Sequence, residues 1–301
     1  MNLADTISTL LADATQRLAA ALQLDKREAR IEARVLISHA LNVDHAWLIG
    51  HDRDTPTPAQ QQIMENMIAR RAAGEPVAYI VGEREFFGMN FAVTSAVLIP
   101  RPDTELLVET ALQHLPEHIP CRILDLGTGS GAIAISLARL RPHAEVVAVD
   151  ASAEALAVAQ ANARQLGANN VQCIAGDWYA ALGKPSGESG VKKFDMIVSN
   201  PPYIAANDPH LNAGDLRFEP RQALASGDDG LRDLRVIVAG ASAHLVEGGW
   251  LWLEHGFDQA AAVAGLLQKY GFGQIHTLRD LAGLGRVSGG RAGGGGQGRA
   301  G

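Results

Sequence analysis

The residues that most narrowly constrain chemistry in this chain are Asn200-Pro201-Pro202-Tyr203, which follow the apolar run Phe194-Asp195-Met196-Ile197-Val198. Proline fixes φ and has no backbone N–H, so two in succession hold the carbonyls after Asn200 in a rigid, acceptor-rich turn. An amide or exocyclic-amine nitrogen offers two N–H donors and a lone pair delocalised into its π system. If the Asn200 side-chain oxygen and the Pro201 carbonyl accept those two hydrogens, the nitrogen is oriented with its lone pair toward an electrophilic methyl group. Tyr203 can then stack on the planar group. No strong base is required, because the nitrogen becomes acidic only as the new bond forms. Rate comes from in-line alignment and from carbonyl dipoles facing the nitrogen as it turns positive. Asp195 and His255 could be mistaken for a base. Both read as structural, the first before a buried strand and the second packed and hydrogen-bonded at a sheet end.

Asp125-Leu126-Gly127-Thr128-Gly129-Ser130-Gly131 lies where a strand ends and a helix begins. Glycine lets the backbone turn sharply and approach a ligand without a Cβ in the way. A phosphate-binding loop would carry the Walker lysine, but Ala132-Ile133 follow. A dinucleotide fold would place its third glycine three residues after the second, and position 132 is alanine. Asp150 ends the next strand, where a carboxylate can accept both hydrogen bonds of a ribose diol; the alternative is a helix N-terminal charge. A third strand leads into Gly176-Asp177-Trp178, an acidic residue and an aromatic that could bracket an adenine, against the alternative of a buried core tryptophan.

The elements that must position these residues alternate. Strands are expected at Arg122–Leu126, Glu145–Val149, Val171–Ala175, Phe194–Val198, Trp250–Glu254 and Gln274–Leu278, with helices between them opened by Asp103, Ser152 and Asp228. That pattern predicts an α/β fold with a mainly parallel, doubly wound, Rossmann-like sheet. Before it, Leu10, Leu11, Ala14, Leu18 and Leu22 recur at helical spacing. Asp25 and Glu28 resemble a capping box opening a helix that carries Ile31, Val35 and Leu36, and Thr57-Pro58 opens another with Gly74 as its C-cap. The runs 78–81 and 86–93 suit a short hairpin. The expected organisation is therefore a small helical domain over 1–76, a β-hairpin linker over 77–100, a catalytic α/β domain over 101–288 and a disordered Gly/Arg-rich tail over 289–301. Leu182–Lys193 reads as a surface insertion.

Composition narrows the classes. The 301 residues are 47% hydrophobic and 20% charged, ordinary for a globular protein with cores to bury. A net charge of −7, and ten acidic against eight basic side chains over residues 1–80, argue against a surface built to grip nucleic acid. Two cysteines, Cys121 and Cys173, lack CxxC spacing, so no metal is expected and free thiols in a reducing compartment fit. No apolar stretch reaches the roughly 20 residues that span a bilayer, nor does the N-terminus read as a signal peptide. A cytoplasmic location is expected.

The chain resembles the bacterial release-factor glutamine methyltransferases. Beyond the glycine loop and Asn-Pro-Pro-Tyr, the resemblance rests on Gly74-Glu75-Pro76, Arg84-Glu85-Phe86, the run from Leu98 to Glu105, Asp208-Pro209-His210, Arg217-Phe218-Glu219-Pro220 and Leu253-Glu254-His255-Gly256. It implies a methyl transfer from S-adenosylmethionine to the side-chain amide of the glutamine in the Gly-Gly-Gln loop of peptide chain release factors. It implies cofactor contacts at Gly127, Thr128, Gly129, Ser130, Gly131, Asp150, Trp178 and Asn200, and substrate contacts at Asn200, Pro201, Pro202 and Tyr203, with Asn200, Pro201 and Tyr203 as the catalytic set. It also implies a helical domain that helps hold the release factor. The Gly/Arg tail, the apolar Leu281–Gly285 and the length of the insertion depart from the family pattern. Within the tail, Gly295-Gly296-Gln297 repeats the substrate triplet; glycine-rich tails produce such triplets readily, and the alternative is that Gln297 enters the active site as a weak pseudosubstrate. Two rivals remain at this point. The same tetrapeptide suits an adenine amine of DNA or RNA flipped from its stack, and the glycine loop a Rossmann-type oxidoreductase or nucleotide-binding module.

Overall fold

The computed structural model describes residues 6–183 and 192–293. Contacts divide the chain into two units, Met1–Glu83 with Gly214–Phe218, and Arg84–Ala213 with Glu219–Gly301. The first is helical: α1 (Ile7–Leu22), α2 (Lys26–Leu41), α3 (His45–Gly50), α4 (Pro58–Ala72) and α5 (Val77–Val81). Side-chain caps start the first four. Thr6, Asp25 and Asp44 accept from backbone N–H groups of the first turn, and Thr57 forms a full capping box with Gln60. Ala73 caps the end of α4, and Gly74 follows it at φ +100°.

This unit has its own core, in which Leu18, Leu36, Ile37 and Ile68 are sealed. Three expectations shift here. Ile31 and Val35 are 52% and 43% exposed, because the buried stripe of α2 runs through Ala29, Ala33, Leu36 and Ile37 instead. Residues 78–81 are helical, not a strand, since Pro76 starts a turn whose Ile80 enters the helical core. The hairpin consists only of β1 (Glu83–Phe86) and β2 (Met89–Ala92). Phe87 and Gly88 make its two-residue turn at φ +51° and +74°, the left-handed pair that a tight hairpin needs.

The second unit follows with α6 (Glu105–His114), β3 (Arg122–Leu126), α7 (Ala132–Leu140), β4 (Glu145–Asp150), α8 (Ala153–Gln165), β5 (Val171–Ala175), β6 (Phe194–Ser199), α9 (Arg232–His244), β7 (Leu245–Glu254), α10 (Ala260–Lys269), β8 (Phe272–Arg279) and β9 (Gly285–Ala292). The seven-stranded sheet has the order β5-β4-β3-β6-β7-β9-β8. Pairing is parallel from β5 to β7, while β9 runs antiparallel to both its neighbours. Apolar clusters cover both faces, as a doubly wound sheet demands. The chain moves outward from β3 through β4 to β5, then returns to place β6 on the other side of β3. A crevice therefore opens beyond the carboxyl ends of β3 and β6. Among the described residues, no helix is long and apolar enough to cross a membrane.

Two further expectations are corrected. Asp228 does not open α9, which begins at Arg232 without a side-chain cap. The tail is not disordered from 289, because Gly289, Gly290, Arg291 and Ala292 pair with β7 and β8. Their lack of bulk is the reason: a Cβ on Gly289 would run into the Trp252 indole. Most of the Leu182–Lys193 insertion and the Gly295-Gly296-Gln297 triplet lie outside the described residues.

Candidate active site

The cavity at the switch point, about 240 Å³, is lined from the ends of β3, β4, β5 and β6. Gly127, Gly129 and Gly131 all lie at positive φ, +73°, +56° and +84°, which admits a glycine chain around the end of β3 into α7. A Cβ on Gly127 would come within 3.3 Å of the Trp178 ring, whereas one on Gly129 would meet nothing within 4 Å. Gly127 thus makes room for the indole, and Gly129 keeps its backbone open to the cavity. Thr128 and Ser130 of the same loop are buried and line the cavity. The Thr128 hydroxyl donates to Asp125 Oδ2 at 2.7 Å, and the Ser130 carbonyl accepts from Asn162 Nδ2 at 2.8 Å. Asn162, fully buried, also exchanges two bonds with Ala92 and so ties β2 to the loop.

Asp150 accepts from the Gly129 N–H at 2.8 Å through one carboxylate oxygen and from the Ser152 N–H at 2.9 Å through the other. Each oxygen keeps lone pairs for a further donor, so the carboxylate is both fixed and still able to take a diol. Trp178 lines the cavity with a backbone φ of +46°, a conformation that bulky residues rarely adopt. The set fits a nucleoside-bearing ligand: open backbone at Gly129, a diol acceptor at Asp150 and an aromatic wall at Trp178. Asp125 lies behind the loop, completely buried, and desolvation pushes its carboxyl up to about 7 against the Thr128 and Ala134 bonds.

At the end of β6, Asn200 Nδ2 donates to Thr104 Oγ1 at 3.2 Å. Its Oδ1 is closed off from solvent with no hydrogen-bond partner among the described residues. Pro202 lines the cavity beside it, and Pro201 is buried. Tyr203 departs from the stacking expectation. Its ring packs into the core cluster on one face of the sheet, it is not among the cavity-lining residues, and its hydroxyl donates to Glu254 Oε1 at 3.3 Å. Burial pushes the phenol's pKa up. Asp195 accepts from the Arg122 backbone N–H, and His255 is sealed between Gly256 O and Ser288 Oγ, so both are structural as expected.

Reading by motif missed Thr104 and Glu254, which touch the tetrapeptide from α6's N-terminal turn and from β7. Both stand inside runs that carried the resemblance, so the strings flagged their neighbourhood without their role. Desolvation pushes the Glu254 carboxyl up to about 7, with Thr104, Arg286 and Tyr203 pulling against it. Arg101 also lines the cavity and pairs with the buried Glu219, whose other oxygen accepts from the Ile99 N–H at 3.1 Å.

A parallel sheet with this switch point, glycine loop and acidic strand end defines the class: an α/β methyltransferase domain. Residues 103–227 match the methyltransferase small domain, and residues 9–82 match the PrmC N-terminal domain. Among solved structures, the hMettl16 catalytic domain in complex with MAT2A 3'UTR hairpin 6 aligns with a TM-score of 0.52 at 16% identity, covering 75% of this chain and 81% of that one, a likeness of fold alone. The release factor glutamine methyltransferase of Bordetella pertussis is 55% identical over 261 residues, covering 87% of this chain and 94% of that protein. The Pseudomonas aeruginosa protein of the same name is 47% identical, covering 94% and 97%. The chain belongs to the release factor glutamine methyltransferase family.

Proposed function

We propose that this protein transfers a methyl group from S-adenosylmethionine to the side-chain amide nitrogen of the glutamine in the Gly-Gly-Gln motif of peptide chain release factors, and so modulates translation termination. The observation that carries the proposal is Asn200 itself, which lines the cavity and has a buried Oδ1 with no hydrogen-bond partner among the described residues. An acceptor left without a donor costs about 1–3 kcal/mol, and a substrate amide N–H would relieve it. The family's own action on release factors supports the choice of a glutamine amide over an adenine amine.

S-adenosylmethionine supplies a methyl group on a positively charged sulfur, electrophilic enough for a weakly basic nitrogen, and is left as S-adenosylhomocysteine; the methylated nitrogen gives up one of its two protons to water. The glycine loop, Asp150 and Trp178 hold it. Asn200 Oδ1 and the Pro201 carbonyl accept the two amide hydrogens, which turns the nitrogen lone pair toward the methyl. Their dipoles stabilise positive charge as it develops, and the prolines keep them from rotating away. Tyr203 braces the turn from the core side through Glu254 instead of stacking on the substrate. The helical unit helps to hold the release factor, and a role in translation supports a cytoplasmic location.

Labelled S-adenosylmethionine incubated with release factor or with DNA tests the proposal. Label is expected on the Gly-Gly-Gln glutamine and absent with Asn200→Ala. Label on adenine, or none on either substrate, would overturn it.

A further inference from the structure

Asn200 must be held the right way round. Its side chain carries an acceptor and a donor on one planar group, and a half-turn about its last bond exchanges them. With Oδ1 toward the substrate, an acceptor meets the amide N–H; with Nδ2 there, donor faces donor. In the structure Nδ2 is spent on Thr104 Oγ1, and Oδ1 has no partner among the described residues. Thr104 is itself buried, at 4% exposure. Having accepted that bond, its hydroxyl has one proton to give. Glu254 is the neighbouring acceptor: the Thr104 hydroxyl is near enough to pull its pKa down, the residue is 1% exposed, its Oε1 accepts from Tyr203, and its Oε2 has no geometric hydrogen-bond partner among the described residues.

We propose that Glu254 is a positioning residue that, through Thr104 and Tyr203, fixes the Asn200 amide with its oxygen toward the substrate nitrogen. The relay has one direction in the ionised form of Glu254, which prevails above about pH 7 and only accepts. Glu254 takes the Thr104 proton, the Thr104 lone pair then faces Nδ2, and Oδ1 is left facing the cavity. The same carboxyl holds the Tyr203 hydroxyl, so both ends of the rigid turn are referred to one group on the neighbouring strand β7. Arg286, paired with Asp103 at 3.6 Å and Asp280 at 3.3 Å, favours the ionised form against burial.

The inference rests on the amide-transfer reading, and one experiment separates the two. Wild type, Asn200→Ala, Thr104→Val, Thr104→Ser and Glu254→Gln are assayed on release factor, with cofactor affinity and melting temperature measured alongside. Label on the glutamine in wild type, lost in Asn200→Ala, establishes the reading. Thr104→Val is then expected to lower kcat roughly 10- to 100-fold through a misoriented acceptor, with cofactor Kd within about threefold. Thr104→Ser, which keeps the hydroxyl, is expected to recover most of that loss. Glu254→Gln keeps one acceptor oxygen for two hydroxyls and should fall between. Wild-type kcat in Thr104→Val, or Thr104→Ser as impaired as Thr104→Val, overturns the proposal. If Thr104→Val does not fold, Glu254→Gln decides: an unimpaired kcat, or a loss matched by weaker cofactor binding, overturns it. Wild type that leaves the glutamine unlabelled overturns the amide-transfer reading and this inference together.

Discussion

Asn200 presents an acceptor that the free protein leaves unsatisfied, so changing its charge should damage transfer more than folding. Asn200→Asp would put a carboxylate in that buried position and remove the donor to Thr104. We expect kcat to fall on the order of 100-fold or more in label-transfer assays, and cofactor affinity to fall by much less in calorimetry. Two carboxyls near the site make a separate prediction about pH. Burial pushes Asp125 and Glu254 up to about 7, while in the unfolded chain they ionise near ~4. The folded state therefore holds their protons more tightly. Their contribution to stability is complete below the unfolded value and is lost as pH rises through about 7. The melting temperature should fall between about pH 4 and about pH 7 and level off above it, and Asp125→Asn should flatten that fall. An equally steep slope in the variant would show that other groups set it.

At the scale of elements, β9 is the instructive case. Its glycines carry no hydrophobic pattern, and composition alone assigns them to a tail. They pair with β7 because Trp252, stacked on Trp250 with ring centroids 5.3 Å apart, occupies the space their side chains would need. Gly289→Ala would push a Cβ into both that indole and the Leu251 carbonyl. A loss of about 2 kcal/mol is expected in urea unfolding, since neither strand can shift without breaking the ladder. A neutral outcome would mean that β9 contributes little to the sheet. The helix α5 carries a related lesson. Val77–Val81 has the β-branched and aromatic composition of a strand, but Ile80 is claimed by the helical core.

At the scale of the whole molecule, Arg71 joins parts of the chain far apart in sequence. It forms a two-bonded fork with Glu32 at 2.8 and 2.9 Å and reaches Asp215 at 2.8 Å, which draws Gly214–Phe218 into the helical unit. Arg71→Ala is expected to destabilise the protein by about 2 kcal/mol in urea unfolding, less than a fully buried pair because Asp215 is partly exposed. Arg71→Lys should recover little, as an ammonium cannot span the carboxylate fork.

Much of the site was legible from local order, because its parts are short segments with strict backbone demands. Glycines at 127, 129 and 131 declare a left-handed path, and Pro201-Pro202 declares a rigid turn. The alternation of strands and helices declares a parallel sheet, which has a switch point at the carboxyl ends of its strands. Those features pointed to a planar nitrogen, amide or base, as the acceptor, and left its identity to the resemblance. Tertiary structure alone decided what each side chain faces. Tyr203 turns into the core, Thr104 and Glu254 set the hand of Asn200, and a glycine-rich run becomes a strand beneath a tryptophan. Such outcomes depend on groups contributed by distant segments, through packing volume and unpaired hydrogen-bond donors and acceptors. No local pattern encodes them.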